Sequence, residues 1–289
     1  MNIYLPIAQI EVSLLLLCSA ASLAGLCMGM FGLGGGVIST PLLILIGIPT
    51  HIAVGTAPMY LFGSSFVGTL RNVAEKIINF KLAIPVAISS AVGSLVGGII
   101  MRHLNSNDNA SEVVALIYIF FMSIVCVVMV SGLLFQPESP EQVWDEDDMS
   151  NISSDAISGL KTAFLIFLGL LVGIVGSICG IGGSLIIVPL VIRVFNLSFK
   201  QAAAVSVFQV MFASFLNFLL YSISGFNDIV LGCIMIVFST IFIVPGKYLQ
   251  SKMGDEVVKF LLLSITFAIL TLFLSKLFIE PNDKIFLEM

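Results

Sequence analysis

Charge is what this sequence has least of. Only 12 lysines and arginines and 17 aspartates and glutamates occur among 289 residues, 10% in all, against about 25% in soluble domains. Such a composition cannot clothe a large soluble enzyme domain. No basic patch is present, so no nucleic-acid partner is indicated. Histidine is nearly missing: His51 and His103 stand alone, with no H-E-x-x-H and no paired acids in an apolar run. Neither a metal site nor a catalytic constellation follows, and the chain does not read as an enzyme. The five cysteines (Cys18, Cys27, Cys126, Cys179 and Cys233) form no C-x-x-C pair, which removes the usual zinc and redox motifs. Each reads as a small packed hydrophobe, with a sulfur-handling role as the alternative for Cys179, directly before Gly180. There is no G-x-x-x-x-G-K and no dinucleotide fingerprint in a strand–turn–helix context, so no cofactor is called for. The opening "MNIYLPIAQIEV" lacks the positive region of a cleaved signal peptide.

What is present is apolar sequence, 58% of the chain. Runs fall at about 7–30, 36–48, 51–70, 81–101 and 112–135, and again at 160–178, 184–195, 201–223, 228–249 and 256–279. Several reach the roughly 20 residues that a membrane-spanning helix needs. The expected class is an all-α polytopic membrane protein, with the lipid bilayer as its surroundings. Between the two groups of five lies "QPESPEQVWDEDDMSNISSDAIS", residues 136–158, with seven acids and no lysine or arginine. It reads as a solvated tether, with Trp144 exposed. The organisation expected is a first membrane repeat at 1–135, the acidic linker at 136–158 and a second repeat at 159–289.

The duplication is visible in the residues. "GLGGGVISTPL" (32–42) aligns with "GIGGSLIIVPL" (180–190), identical at six of eleven positions. Gly25 matches Gly173, and "AVGTA" at 53–57 finds its counterpart at 203–207, pairing Thr56 with Ser206. Positive charge indicates how the halves are oriented, because cytoplasmic loops carry the excess of lysine and arginine. If all five segments of each half cross, the second repeat is inverted. Arg71, Lys76, Lys81, Lys161, Arg193, Lys200, Lys247, Lys252 and Lys259 then fall inside, and Arg102, Lys276 and Lys284 outside, a split of 9 to 3. Four crossings per repeat would split them 6 to 6. Both termini are therefore expected outside and the linker in the cytoplasm.

The run 36–48 is too short for the hydrocarbon core: 13 residues of helix cover about 20 Å, against about 30 Å. An unwound glycine stretch followed by a short helix resolves this, since irregular backbone is tolerated at membrane depth where it lines a cavity or is buried in protein. Glycine lets backbone N–H groups approach a ligand, and a helix starting near Gly36 or Ser184 adds its positive end. Two such motifs in opposed repeats would face each other near the midplane and hold a small anion. The candidate residues are Gly32, Gly34, Gly35, Gly36, Gly180, Gly182, Gly183 and Ser184, with Pro41 and Pro189 as structural or hinge positions. Thr56, Ser64, Ser65, Ser206, Gln209 and Asn217 on the following elements complete the set. Serines there also have a plainer use, bonding back to their own helix. Close packing is the competing use for small residues, and Gly93/Gly97 and Gly169/Gly173 are assigned to it. Arg71 reads as a topology anchor and His51 as a boundary residue.

"GLGGGVISTPLLILIGIPTHIAVGT" resembles the TauE/SafE family of membrane transporters, whose glycine-rich motif, downstream proline and "AvgT"-like stretch recur in both halves. The resemblance covers nearly the whole chain except the linker and termini. It implies export of sulfite, sulfoacetate or a related organosulfur anion. Ser184 departs from the fuller motif, where the first repeat has Gly36, so the half-sites need not be equivalent.

All seventeen acids lie in loops, termini or segment edges. No intramembrane carboxylate is placed for a proton relay, which fits an anion leaving down an inside-negative potential. The expected function is secondary export of a small sulfur oxyanion. The alternatives are an anion channel on the same scaffold and an uptake carrier for such an anion.

Overall fold

The computed structural model describes residues 2–32, 35–105, 110–134, 159–195 and 197–279. Among these, ten helices follow a short hairpin: β1 (Asn2–Leu5), β2 (Ile10–Ser13), α1 (Leu14–Phe31), α2 (Gly36–Leu45), α3 (Thr50–Ala74), α4 (Phe80–Asn105), α5 (Ala110–Leu134), α6 (Gly159–Cys179), α7 (Ser184–Phe195), α8 (Phe199–Ile223), α9 (Ile229–Lys252) and α10 (Asp255–Ile279). α1, α4, α8, α9 and the Thr162–Cys179 part of α6 are long and apolar enough to cross a bilayer by length and composition. The chain is an all-α, multi-pass membrane protein. The linker 136–158, with Trp144, lies outside the described residues.

The first apolar run departs from expectation. Residues 7–30 do not form one helix: β1 and β2 pair antiparallel, Leu5 opposite Ile10, and α1 starts only at Leu14. Pro6 sits in the turn, where its missing N–H costs nothing. Leu5, Ala8 and Val12 point inward onto Leu43, Ile48, Ile52 and Leu231, so a half-polar hairpin is held by one buried face.

Local chemistry explains the helix ends. Ser198 and Gln201 form a reciprocal capping box at the start of α8. α1 ends at Gly32 in a left-handed conformation, whose N–H donates to the Met28 carbonyl at 3.0 Å. Pro41 inside α2 removes the N–H that would reach Val37. The Tyr118 hydroxyl, from α5, donates to that carbonyl instead at 2.7 Å.

The halves interlock by exchange. α1 packs along α9, and α6 along α4. A Cβ at Gly25 would overlap the Ser239 carbonyl, and one at Gly173 the Ser90 carbonyl. Gly246 meets the Leu26 carbonyl as Gly97 meets that of Ile174. Each contact thus has a counterpart with the halves swapped. Gly93 and Gly169 lie in the same α4–α6 seam, against Leu170 and Ser89, which is the close packing that their spacing predicts. α3 and α8 run antiparallel. Gly68 late in α3 meets Val207 early in α8, while Gly55 early in α3 meets Phe226 just past the end of α8.

Candidate functional site

The glycine motifs break the chain where the sequence places them. In the first, Gly35 (φ +72°) leads into α2, which starts at Gly36; Gly34 lies outside the described residues. In the second, Gly180, Gly182 and Gly183 all have positive φ, and α7 starts at the fully buried Ser184. Gly183 has two reasons to be glycine. Its φ of +77° strains any L side chain, and a Cβ would lie 2.8 Å from the Val172 carbonyl oxygen.

The motifs touch. A Cβ on Gly36 would lie 2.5 Å from the Gly180 oxygen and 2.9 Å from the Ile181 Cα. Thr40, one turn into α2, donates from Oγ1 to that same Gly180 oxygen at 3.0 Å. Ser39 Oγ donates to the Gly35 carbonyl at 3.1 Å and contacts the Tyr60 hydroxyl. The start of one short helix is therefore seated on the turn that opens the other. Within that turn the N–H groups of Gly180, Ile181 and Gly182 donate to the Ser177 and Gly176 carbonyls. At the start of α2 the N–H groups of Ile38 and Ser39 donate to the Gly35 carbonyl at 3.2 and 3.1 Å, so the opening turn of this short helix is closed on its own glycine.

The polar candidates separate. Gln209 joins the crossing: its Nε2 donates to the Gly182 carbonyl at 3.3 Å, and its buried Oε1 has no partner. Ser206 Oγ, one turn earlier on α8, is also buried without a partner, as is Thr69 Oγ1 on α3. Buried polar atoms are nearly always paired, so an orphan needs an explanation. The other candidates have structural partners. Ser64 and Ser65 bond back to the Tyr60 and Leu61 carbonyls. Asn217 Oδ1 accepts from Ser177 Oγ at 2.9 Å. Thr56 Oγ1 accepts from the Asp228 N–H at 3.0 Å. Pro189 lies inside α7 as Pro41 does inside α2.

Two charged features escaped the sequence reading. At one end of the bundle a cavity of about 200 Å³ opens between the ends of α1, α3 and α9 and the start of α8. Its wall includes Gly32, Arg71, Asn72, Glu75, Lys200 and Lys247. Glu75 Oε1 accepts from Arg71 Nε at 3.1 Å, and Oε2 from Lys247 Nζ at 2.6 Å; Lys247 also donates to Asn72 Oδ1 at 3.1 Å. Partial burial acts to raise the Glu75 carboxyl. The hydrogen bonds and charges of Lys247 and Arg71 outweigh it, and hold the group below the usual carboxylate range. Lysines and arginines had served in the sequence only to orient the halves. The pairing of Glu75 with Lys247, 172 positions apart, left no local signal.

At the opposite end, Asp228 caps α9. It is fully buried, with Oδ1 accepting from Val230 and Leu231 N–H and Oδ2 from Ile7 and Ala8 in the hairpin turn. Asp228 does sit at a segment edge, as the sequence indicated.

The model of the family described as "Sulfite exporter TauE/SafE" matches residues 17–273. The probable membrane transporter protein YunE of Bacillus subtilis is 22% identical over 258 residues, covering 85% of this chain and 89% of its own length. The probable membrane transporter protein MJ0441 of Methanocaldococcus jannaschii is 24% identical, covering 87% and 90%. Sulfite exporter TauE/SafE family protein 1 of Arabidopsis thaliana is 26% identical over a shorter stretch, 46% of this chain and 28% of the plant protein. No solved structure matches. The family match runs from within α1 to within α10 and takes in both glycine motifs and their crossing: the chain belongs to the TauE/SafE family, whose relatives here are named as membrane transporters.

Proposed function

We propose that this protein is a secondary carrier exporting a small sulfur-containing oxyanion, sulfite, sulfoacetate or a similar species, from the cell. One observation carries the reading: the cavity of about 200 Å³ is lined by three cations, Arg71, Lys200 and Lys247, against one carboxylate, Glu75, and by Gly32 of the first glycine motif. An anion entering there meets a net charge of about +2 (three minus one), which raises its local concentration. Thr69 and Ser206, whose buried hydroxyls have no partner, neighbour the cavity-lining Gly68 and Val207 in sequence, and Gln209 on the same helix as Ser206 reaches the Gly182 carbonyl. The names of the plant relatives include sulfite export. Export needs no coupling ion, since each negative charge leaving gains about 2.3 kcal/mol per 100 mV of inside-negative potential.

The two membrane repeats, 1–135 and 159–289, are inverted in this reading and joined by a cytoplasmic linker, 136–158, with both termini outside the cell (plasma or inner) membrane. The antiparallel run of α3 against α8 and the exchanged contacts of α1–α9 and α6–α4 support it. So does the 9-to-3 charge split. The cation-lined cavity then faces the cytoplasm, on the side from which an exported anion is loaded. Substrate contact is assigned to the first turns of α2 and α7, with Gly35, Gly36, Gly183 and Ser184, and to Ser206 and Gln209.

Purified protein in proteoliposomes loaded with sulfite, sulfate, sulfoacetate or chloride tests this. Saturable sulfite efflux, accelerated by external counter-substrate, is expected. Flux that neither saturates nor exchanges would make the protein a channel, and no flux of any sulfur oxyanion would refute the proposal. An impermeant reagent applied to intact cells should leave Ser153→Cys unlabelled; labelling there would refute the inverted topology.

A further inference from the structure

We infer that the cavity at the ends of α3 and α9 is the loading site for the exported anion, and that Glu75 is a tethered stand-in for it, which the anion displaces from Arg71 and Lys247. This deepens the export reading and rests on it. The geometry is that of a carboxylate held in an anion slot. Its two oxygens take different donors from two helices, Arg71 Nε at 3.1 Å and Lys247 Nζ at 2.6 Å. Asn72 Oδ1 fixes the same Lys247 ammonium at 3.1 Å. A sulfur oxyanion offers several oxygens on one small centre and can bridge the same two donors. Lys200, on the facing start of α8, lines the cavity and makes no ion pair among the described residues. It supplies the additional charge that favours a free anion over the tethered one.

Exchange is easy at this place. The side chains of Glu75 and Lys247 remain 39% and 23% exposed, and ion pairs of that kind contribute little. Glu75 ends α3 as its C-cap and leads into a loop whose next residue, Lys76, has a positive φ of 54°. The carboxylate therefore sits where the chain leaves the helix, while Arg71 and Asn72 stay within α3. A seated carboxylate keeps the cations neutralised and orders the mouth when no anion is bound. Its cost is competition: the anion binds less tightly than it would to the bare cations.

Titration calorimetry with sulfite on the purified, monodisperse protein tests this apart from flux. Glu75→Gln removes the competitor and should tighten sulfite binding by about three- to tenfold. Lys247→Met should weaken it at least tenfold, and Lys247→Arg should restore it. In proteoliposomes the Glu75→Gln protein should show a lower KM for sulfite. Equal affinity in wild type, Glu75→Gln and Lys247→Met would overturn the inference, as would weaker binding in Glu75→Gln or no sulfite binding in any of them. Should wild type export sulfite while these affinities stay equal, the export reading stands and only the loading site fails. Should sulfite bind as described with no flux, the site stands and the export reading fails.

Discussion

Asp228 and Glu75 lie at the two ends of the bundle, and their carboxylates are held in opposite ways. Asp228 is fully buried and accepts four backbone N–H bonds, two from its own helix and two from the hairpin turn. Glu75 is 39% exposed and is held by two partly exposed cationic side chains. Backbone amides inside a packed element cannot withdraw from a carboxylate, so Asp228 is a permanent clasp. Long cationic side chains facing water can turn to another anion, which is the basis for proposing that Glu75 is exchangeable. In the proposed reading one end stays clasped and the other trades ligands. In the proposed topology the clasped end faces outward and the exchanging end inward.

Breaking the clasp should have the largest effect on the fold. Asp228→Ala removes an N-cap, worth about 1 kcal/mol, and leaves the Ile7 N–H without its acceptor, a further 1–3 kcal/mol or so. A loss of roughly 2–4 kcal/mol is expected in the unfolding midpoint of the detergent-solubilised protein. Asp228→Asn should lose clearly less. Equal, small losses in both would show that the hairpin is not held by this carboxylate.

Between the ends, the crossing is a matter of space. Gly36→Ala pushes a methyl group into the Gly180 oxygen and the Ile181 backbone, and overpacking of this kind costs about 1–3 kcal/mol. Sulfite flux per folded molecule should fall with it, because the same contact positions both short helices. Undiminished flux in a folded Gly36→Ala protein would separate the crossing from transport. Gly183→Ala adds backbone strain and an overlap with Val172, and should behave alike. Gly93→Ala, which meets Leu170 in the α4–α6 seam, should lower stability with little change in sulfite affinity.

The exchangeable end should matter least to stability. Glu75→Gln should shift the unfolding midpoint by less than about 1 kcal/mol while altering sulfite binding. A shift as large as that of Asp228→Ala would erase the contrast between the ends. Smallest of all is Gly254→Ala, at a helix junction where nothing lies within 4 Å of an added Cβ; no measurable change is expected in its unfolding midpoint.

Most of the helical plan was legible in the sequence because the signals are local. Nine of the ten apolar runs became helices, with ends within about four residues, and the short helices began at Gly36 and Ser184 as the glycines and prolines indicate. The N-terminal run misled because its apolar residues continue without a break into α1. Only Pro6, Gln9 and the alternation of Ile10, Glu11, Val12 and Ser13 mark a hairpin. The meeting of the two motifs was readable from the repeat, but which glycines make it was not. Gly36 proves to be a backbone contact, whereas the nearest neighbour to a Cβ on Gly35 is the Ala24 oxygen, at 3.3 Å. Polar side chains were the least legible. Thr56 and Asn217 stand at ligand-like positions, and their hydrogen-bond partners lie more than 30 residues away, beyond any local signal. The Arg71–Glu75–Lys247 cluster exists only once α3 and α9 lie side by side.

The most direct measurement is labelling of a cysteine placed in the cavity wall at Ser251, which lines it beside Lys247, with the exposed Cys233 replaced by serine. An impermeant maleimide should modify Ser251→Cys in inside-out vesicles but not in intact cells, and sulfite should slow that modification in a saturable way. Labelling from the outside of intact cells, or a rate indifferent to sulfite, would contradict an inward-facing anion site at this end of the protein.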